Sequence, residues 1–312
     1  MAPAADLLVG KVLGDDGFGT ASQVVDGMEW AVARGADVVN LSLGSDAPSD
    51  GTDPMSRALN ELSASSGALF VVAAGNAGPA QGTIGSPAAA DAALTVGAVG
   101  RDDSLADFSS RGPRAGDDAV KPDVTAPGVG IVAARAAGTT MGQVVDPSHV
   151  AASGTSMAAL HVAGAAALLA QQHPDWTASR LKDALTSTAR LIEGQRVTEQ
   201  GGGCVDVAAA SRTPVLATAG LALGTEDAVP LDVDHAGVVV GTDAAGPPDL
   251  HGATDRRILL ALLVAGVVDK AVATQMGLSR RTVQSRIQRL MELAGATTRM
   301  QLAWQAARRG WL

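Results

Sequence analysis

Ser156 stands in Gly154-Thr-Ser-Met-Ala158, a short turn that runs directly into an Ala/Leu-rich stretch reaching Gln171. A hydroxyl at a helix start sits beside unpaired backbone N–H groups and the positive dipole end, surroundings that stabilise an oxyanion. Taken alone, a serine in that place is more often an N-cap. Asn76, in Val72-Ala-Ala-Gly-Asn-Ala-Gly-Pro79, reads by itself as a loop asparagine bonded to its own backbone. The chemistry these types could do is acyl transfer. A serine hydroxyl attacks a carbonyl only when a base takes its proton, and the oxyanion that forms needs donors already in place. No base suggests itself among the five histidines. His161 lies five residues after Ser156 on the same predicted helix, and His149, His173, His235 and His251 fall in loop-like or linker-like sequence.

Such groups need a scaffold, and the chain around them alternates. Ala5–Leu13 is a short apolar run expected as a buried strand, and Ala21–Arg34 carries apolar residues at helical spacing before Gly35, a good C-cap. Asp37–Gly44 reads as strand, Pro54–Ser66 as helix and Ala68–Gly75 as strand. Ala93–Val99 and Gly130–Ala134 look like further strands, and Ala178–Thr188 like a helix after the one that follows Ser156. The β-α-β-α-β order predicts an α/β domain, a parallel sheet with helices on both faces.

Bulk properties narrow the classes. The 312 residues suffice for two domains, and the single cysteine, Cys204, excludes an internal disulfide. The N-terminus lacks the basic segment and apolar run of a secretion signal, and no stretch approaches the length of a membrane span, so a cytoplasmic protein with no membrane partner is expected. No tyrosine and few Phe or Trp argue against stacking platforms for single-stranded nucleic acid. The net charge of −9 is uneven: from Thr254 to Leu312 there are ten Lys/Arg against three Asp/Glu, a tail of +7 on a remainder of −16. A basic tail on an acidic body suggests two parts with different partners.

Val39-Asn-Leu-Ser-Leu-Gly44, Val72–Pro79, Ser86-Pro-Ala88, Asp107-Phe-Ser-Ser-Arg-Gly-Pro113, Lys121-Pro-Asp-Val-Thr-Ala-Pro-Gly128 and Gly154–Ala158 followed by His161-Val-Ala-Gly164 occur in the order found in subtilisin-like serine peptidases. The resemblance covers about residues 5–215. It implies Ser156 as nucleophile and Asn76 as oxyanion-hole amide, paired with the Ser156 N–H. It further implies that Ser42, Leu43 and Gly44 and Ala73, Ala74 and Gly75 hold a substrate peptide as an added strand. Ala159-Leu160 departs from the family's usual Thr-Pro, which puts the packing beside the nucleophile in question. The family's triad runs Asp, His, Ser, with the first two upstream of the segment matching Ala5–Leu13. Neither His-Gly-Thr-His nor Asp-Thr-Gly occurs in the 312 residues. A subtilisin stripped of its histidine loses about 2 × 10⁶ in kcat, so the chain by itself is expected to be a negligible peptidase. Without the family's aspartate strand, unpaired strand edges are expected too. Calcium is common in the family, but no ligand loop is assignable, and no cofactor or metal is expected.

Residues 216–250 are Gly/Ala/Asp-rich with Pro230, Pro247 and Pro248 and read as a linker or domain remnant. Beyond them, Thr254–Ala265, Asp269–Met276 and Arg280–Leu293 have helical apolar spacing. Gly277 ends the second, Ser279 can cap the third, and Val283, Ile287 and Leu290 form an apolar stripe on that third helix. Two helices across a glycine turn, the second rich in Arg and Gln, fit a helix-turn-helix; a small bundle with a solvated basic face is the plainer alternative. Lys270–Leu290 resembles the LuxR-type helix-turn-helix of bacterial regulators, the match spanning about Thr254–Leu312 with a fourth helix around Met300–Arg309, within a domain expected at residues 251–312. That resemblance implies an all-α domain binding double-stranded DNA, with homodimerisation through the fourth helix. Thr282, Gln284, Ser285 and Gln288 are then candidates for base or phosphate contacts, and Arg280, Arg281 and Arg289 for phosphate. Three readings stand open: a DNA-binding regulator with an incomplete peptidase domain, an endopeptidase acting through Ser156 when Asp and His come from another segment, and a truncated or fused reading frame.

Overall fold

The computed structural model describes residues 2–139, 141–212 and 280–294, together with Leu302. Two compact units emerge, Met1–Thr213 and Pro214–Leu312.

The first unit is built on four parallel strands. Helix α1 (Ala21–Ala33) starts at a capping box, in which Thr20 accepts from the Gln23 N–H while the Gln23 side chain accepts from the Thr20 N–H at 2.8 Å. Strand β1 (Val38–Leu41) follows. Helix α2 (Pro54–Ser66) has Asp53 as its N-cap and proline in its first turn. Strands β2 (Leu69–Ala73), β3 (Leu94–Val99) and β4 (Val124–Pro127) complete a sheet in the order β1-β2-β3-β4. Every residue of β2 and β3 is buried, as expected of strands covered on both faces.

Alternation along the strands divides the core. Val39, Leu41, Phe70 and Val72 pack with Val24, Met28 and Leu59 of α1 and α2 in one cluster. The opposite face receives helix α3 (Thr155–Gln172), which contacts all four strands and buries Ala158, Ala159, Val162, Ala165, Ala166 and Leu169. Small residues let its backbone lie close to the sheet. Ala159 is fully buried while Leu160 is exposed, so the departure from Thr-Pro leaves this packing intact. Helix α4 (Ala178–Ser187) packs against α3 and β2.

Between β4 and α3 lies a three-stranded antiparallel sheet of β5 (Ile131–Ala134), β6 (Gln143–Asp146) and β7 (His149–Ala152), ordered β5-β7-β6. Strand β7 leads straight into α3. Two single-turn helices, α5 (Val197–Gln200) and α6 (Val207–Ala210), follow α4.

Ala5–Leu13 is the element that departs from expectation. It forms no strand, and Leu7 and Val9 are 85% and 78% exposed. Only Val12 reaches the core cluster, alongside Trp30. The segment pairs with no strand, so it gains no ladder; β1, the nearest strand in sequence, is instead the sheet's outer strand.

In the second unit, helix α7 (Arg280–Ala294) is described. Its predicted stripe, Val283, Ile287 and Leu290, is buried, and so is Leu302. The helices expected at Thr254–Ala265 and Asp269–Met276, the remainder of the fourth around Met300–Arg309, and the 216–250 segment lie outside the described residues. Among the described residues no helix is long and apolar enough to cross a membrane.

Candidate active site

The site forms where the parallel strands end. Ser42–Gly44 leave the C-terminal end of β1, and Ala73 closes β2 before Ala74 and Gly75, so the two predicted peptide-holding segments run off neighbouring strands. Crevices at the carboxyl ends of parallel strands are where such sheets bind ligands. Gly75 has φ 107°, in the left-handed region, and a Cβ there would lie 2.8 Å from Ser110 Oγ. Gly128, after β4, admits the turn into α3: a Cβ would meet Ala98 Cβ at 2.7 Å and the Gly154 carbonyl at 2.8 Å.

The cap of α3 is Gly154, and Ser156 falls inside the first turn rather than capping it. The first-turn donors are partly used. The Thr155 N–H donates to Asn76 Oδ1 at 3.0 Å, and the Met157 N–H to the Gly154 carbonyl at 3.1 Å. The Ser156 N–H has no partner among the described residues, one of the orphan donors every helix start leaves.

Asn76 is fixed by its oxygen. The Thr155 hydroxyl accepts from the Gly75 N–H at 3.2 Å, and its single proton is shared between Asn76 Oδ1 at 3.1 Å and the Gly75 carbonyl at 3.2 Å. With Oδ1 occupied, Nδ2 is the end left to bind an anion, and it makes no hydrogen bond among the described residues. It lies 3.6 Å from where a Cβ on Gly154 would sit. Asn76 and Ser156 line one cleft of about 450 Å³, with Met157, with Gln143 and Ala151 from the antiparallel sheet and with Met141 just before β6. The predicted oxyanion donors therefore meet the predicted nucleophile. Ser42–Gly44 and Ala73–Gly75 are not part of that cleft's lining.

The Ser156 hydroxyl donates to the Ser42 carbonyl at 3.3 Å, and the Ser42 hydroxyl donates to the Ser156 carbonyl at 2.9 Å. No imidazole or carboxylate reaches Ser156 Oγ among the described residues. His161 Nδ1 is turned onto the Met157 carbonyl of its own helix at 2.9 Å, His149 pairs with Asp146 at 2.9 Å, and His173 stacks on Trp176 with ring centroids 3.8 Å apart. Nor do the described residues hold a group of three or more His, Cys, Asp or Glu placed to bind a metal ion.

Sequence reasoning passed over Thr155, whose hydroxyl joins Gly75 to Asn76, and Asn40, whose amide holds the Ser42 hydroxyl at 3.0 Å. The signal for Asn40 was there: it is the one polar residue of Val38-Val-Asn-Leu41.

A hydroxyl at the N-terminus of α3, an amide from the end of β2 aimed beside it and a parallel sheet beneath define a subtilisin-type site. The subtilase family (peptidase S8) matches residues 1–213, and the chain belongs to that family. Among individual relatives, serine protease AprX of Bacillus subtilis is 36% identical over 228 residues, covering 66% of this chain and 51% of AprX. Pyrolysin of Pyrococcus furiosus is 37% identical over 254 residues, 66% of this chain and 17% of pyrolysin. Subtilisin DY of Bacillus licheniformis is 38% identical over 214 residues, 68% of this chain and 70% of that protein. The chain thus spans about half the length of AprX, and less of pyrolysin.

Proposed function

We propose that residues 1–213 carry the nucleophile and the oxyanion-binding part of a serine endopeptidase site, idle alone and active when an aspartate–histidine pair from another segment reaches Ser156. What supports this reading is the meeting of Ser156 and Asn76 in one cleft, with the Ser156 N–H left unpaired. In the reaction Ser156 Oγ attacks the scissile carbonyl carbon as the supplied histidine takes its proton. The carbonyl oxygen, now negative, lies between the Ser156 N–H and Asn76 Nδ2. The tetrahedral adduct collapses as the protonated histidine gives its proton to the leaving amine, and water then releases the acyl group from Ser156. In the chain itself the hydroxyl proton goes to the Ser42 carbonyl, which cannot act as a base at neutral pH. The test is a fluorophosphonate probe on the full 312-residue chain, read by intact mass. No adduct is expected; labelling at Ser156, abolished by Ser156→Ala, would overturn the proposed incompleteness.

We read residues 251–312 as a LuxR-type helix-turn-helix that binds double-stranded DNA, as a homodimer, which places the chain's work in the cytoplasm. In favour of this reading, Val283, Ile287 and Leu290 of α7 face inward while Arg281, Thr282, Gln284, Ser285, Gln288 and Arg289 are exposed. Those exposed residues suit a helix laid in a major groove. A gel shift with the full chain tests it. Affinity that falls steeply with salt is expected, and binding that ignores salt, or none at all, removes the proposal.

A further inference from the structure

We propose that Asn40 and Ser42 are positioning residues for Ser156, acting as a directed hydrogen-bond relay from the interior of β1 to the first turn of α3. The inference rests on Ser156 being the nucleophile. Asn40 Nδ2 donates to Ser42 Oγ at 3.0 Å, and Ser42 Oγ donates to the Ser156 carbonyl at 2.9 Å, bridging 114 residues of chain. Asn40 and Ser42, two apart along the strand direction, project to the face that α3 covers, opposite Val39 and Leu41.

The direction of the relay is set by proton count. A serine hydroxyl has one proton and two lone pairs. With an Asn40 N–H on one lone pair, the Ser42 proton is turned outward to the Ser156 carbonyl. The opposite amide orientation would put Oδ1 against Ser42 Oγ, draw the proton back and release Ser156. One amide therefore decides whether the turn that aims Ser156 Oγ and its unpaired N–H is tied to the sheet.

That arrangement has a cost the fold alone does not require. Asn40 Oδ1 is buried without a hydrogen-bond partner, an arrangement that a leucine of similar size would avoid. An apolar residue would serve a strand otherwise made of Val and Leu. The asparagine is explained by what its other end does.

The test is the Ser156 carbonyl carbon resonance in the isotopically labelled full chain, since that carbon reports the hydrogen bond its oxygen accepts. Ser42→Ala is expected to move it upfield, and Ser42→Thr, which keeps the hydroxyl, to leave it near the wild-type position. Asn40→Asp at neutral pH presents an acceptor in place of the donor, so the Ser42 proton turns to the carboxylate and the resonance moves as in Ser42→Ala. Adding Asn40→Asp to Ser42→Ala should then shift nothing further. An unmoved resonance in Ser42→Ala overturns the proposal, as does one in Asn40→Asp. If Asn40→Asp does not fold, the Ser42→Ala and Ser42→Thr pair decides alone. The resonance reads the bond whether or not Ser156 attacks a peptide, so a failed relay and a failed peptidase reading are separate results.

Discussion

Thr155 and Asn76 are joined through a single oxygen: Asn76 Oδ1 accepts the Thr155 N–H at 3.0 Å and the Thr155 hydroxyl at 3.1 Å. The residue before the nucleophile thereby fixes which end of the Asn76 amide faces the cleft. The same hydroxyl accepts from the Gly75 N–H at 3.2 Å, so it also closes the loop that leaves β2. Thr155→Val keeps the shape and the backbone N–H bond to Asn76 but loses the bonds of the hydroxyl. It should cost about 1–2 kcal/mol, because the Gly75 N–H is left without its partner. Urea unfolding reads this as a lower midpoint at unchanged slope; a midpoint equal to wild type would show the bridge to be idle.

Much of this site could be read from residue order, because the motifs that surround Ser156 and Asn76 are local and each is a turn or strand end. Helices α1 and α2 were equally legible, since Thr20 with Gln23 and Asp53 with Pro54 announce their starts and Gly35 and Gly67 their ends. Pairing was not. Ala5–Leu13 has the apolar content of a strand, but a strand exists only with a neighbour, and that is a property of the whole sheet. Nor was a strand legible at β4, β6 or β7: β4 and β7 are only four residues each, and β6 is exposed at every residue, so burial leaves no alternation to find. The Asn40–Ser42–Ser156 relay spans 114 residues and leaves no local pattern beyond one polar residue in an apolar strand.

Asp123 anchors a buried cluster at the N-terminal end of β4. Its carboxylate meets Lys121 Nζ at 2.7 Å and Lys182 Nζ at 3.0 Å, and the Lys121 side chain is 4% exposed. Burial pushes Lys121 down to about 8 even with Asp123 alongside. Asp123→Ala leaves that ammonium buried beside a second cation and should cost about 3–5 kcal/mol at neutral pH. The sign of the pH effect follows. The folded lysine releases its proton below the ordinary lysine value of about 10.4, so above neutrality the unfolded state binds more protons and stability rises with pH. In the variant the rise should start at lower pH than in wild type. Guanidinium unfolding at neutral and alkaline pH checks both statements, and an Asp123→Ala protein as stable as wild type would refute them.

Asp53 ties the loop after β1 to α2. Burial would raise its carboxyl, but hydrogen bonds from Ser49, Ser86 and Ser56 outweigh it and hold the group at about 2. Ser86 in turn accepts the Ser45 N–H on its carbonyl at 2.8 Å, one residue past Gly44. A carboxyl with a depressed folded value contributes stability that is present above the unfolded value of about 4 and is lost as pH falls toward about 2. Asp53→Asn keeps a capping oxygen while removing the titration. It should flatten the acid limb of stability across that window and cost about 1–2 kcal/mol at neutral pH, the contribution of the ionised group after solvent screening. Thermal unfolding from pH 2 to pH 6 reads it; parallel curves for the two proteins would assign the acid sensitivity elsewhere.

Helix α7 supplies the remaining prediction, which stands on the DNA-binding proposal. Val283, Ile287 and Leu290 are 0%, 3% and 3% exposed, and their spacing of four and three leaves Arg281 and Arg289 on the outer faces, eight residues apart. At about 1.5 Å per residue the two guanidinium-bearing positions are separated by about 12 Å along the axis, a span that lets one helix reach phosphates on both walls of a major groove about 12 Å wide. Arginines used in this way position the helix without reading bases, so Arg281→Ala and Arg289→Ala should weaken binding by similar factors on every duplex. Each should also lower the slope of log affinity against log salt by about 1. Gln284→Ala should behave differently, leaving the slope alone and relaxing the preference between sequences. Fluorescence anisotropy of the full chain with labelled duplexes across a salt series separates the outcomes: if the double arginine variant keeps the wild-type slope, phosphates are not where this helix binds.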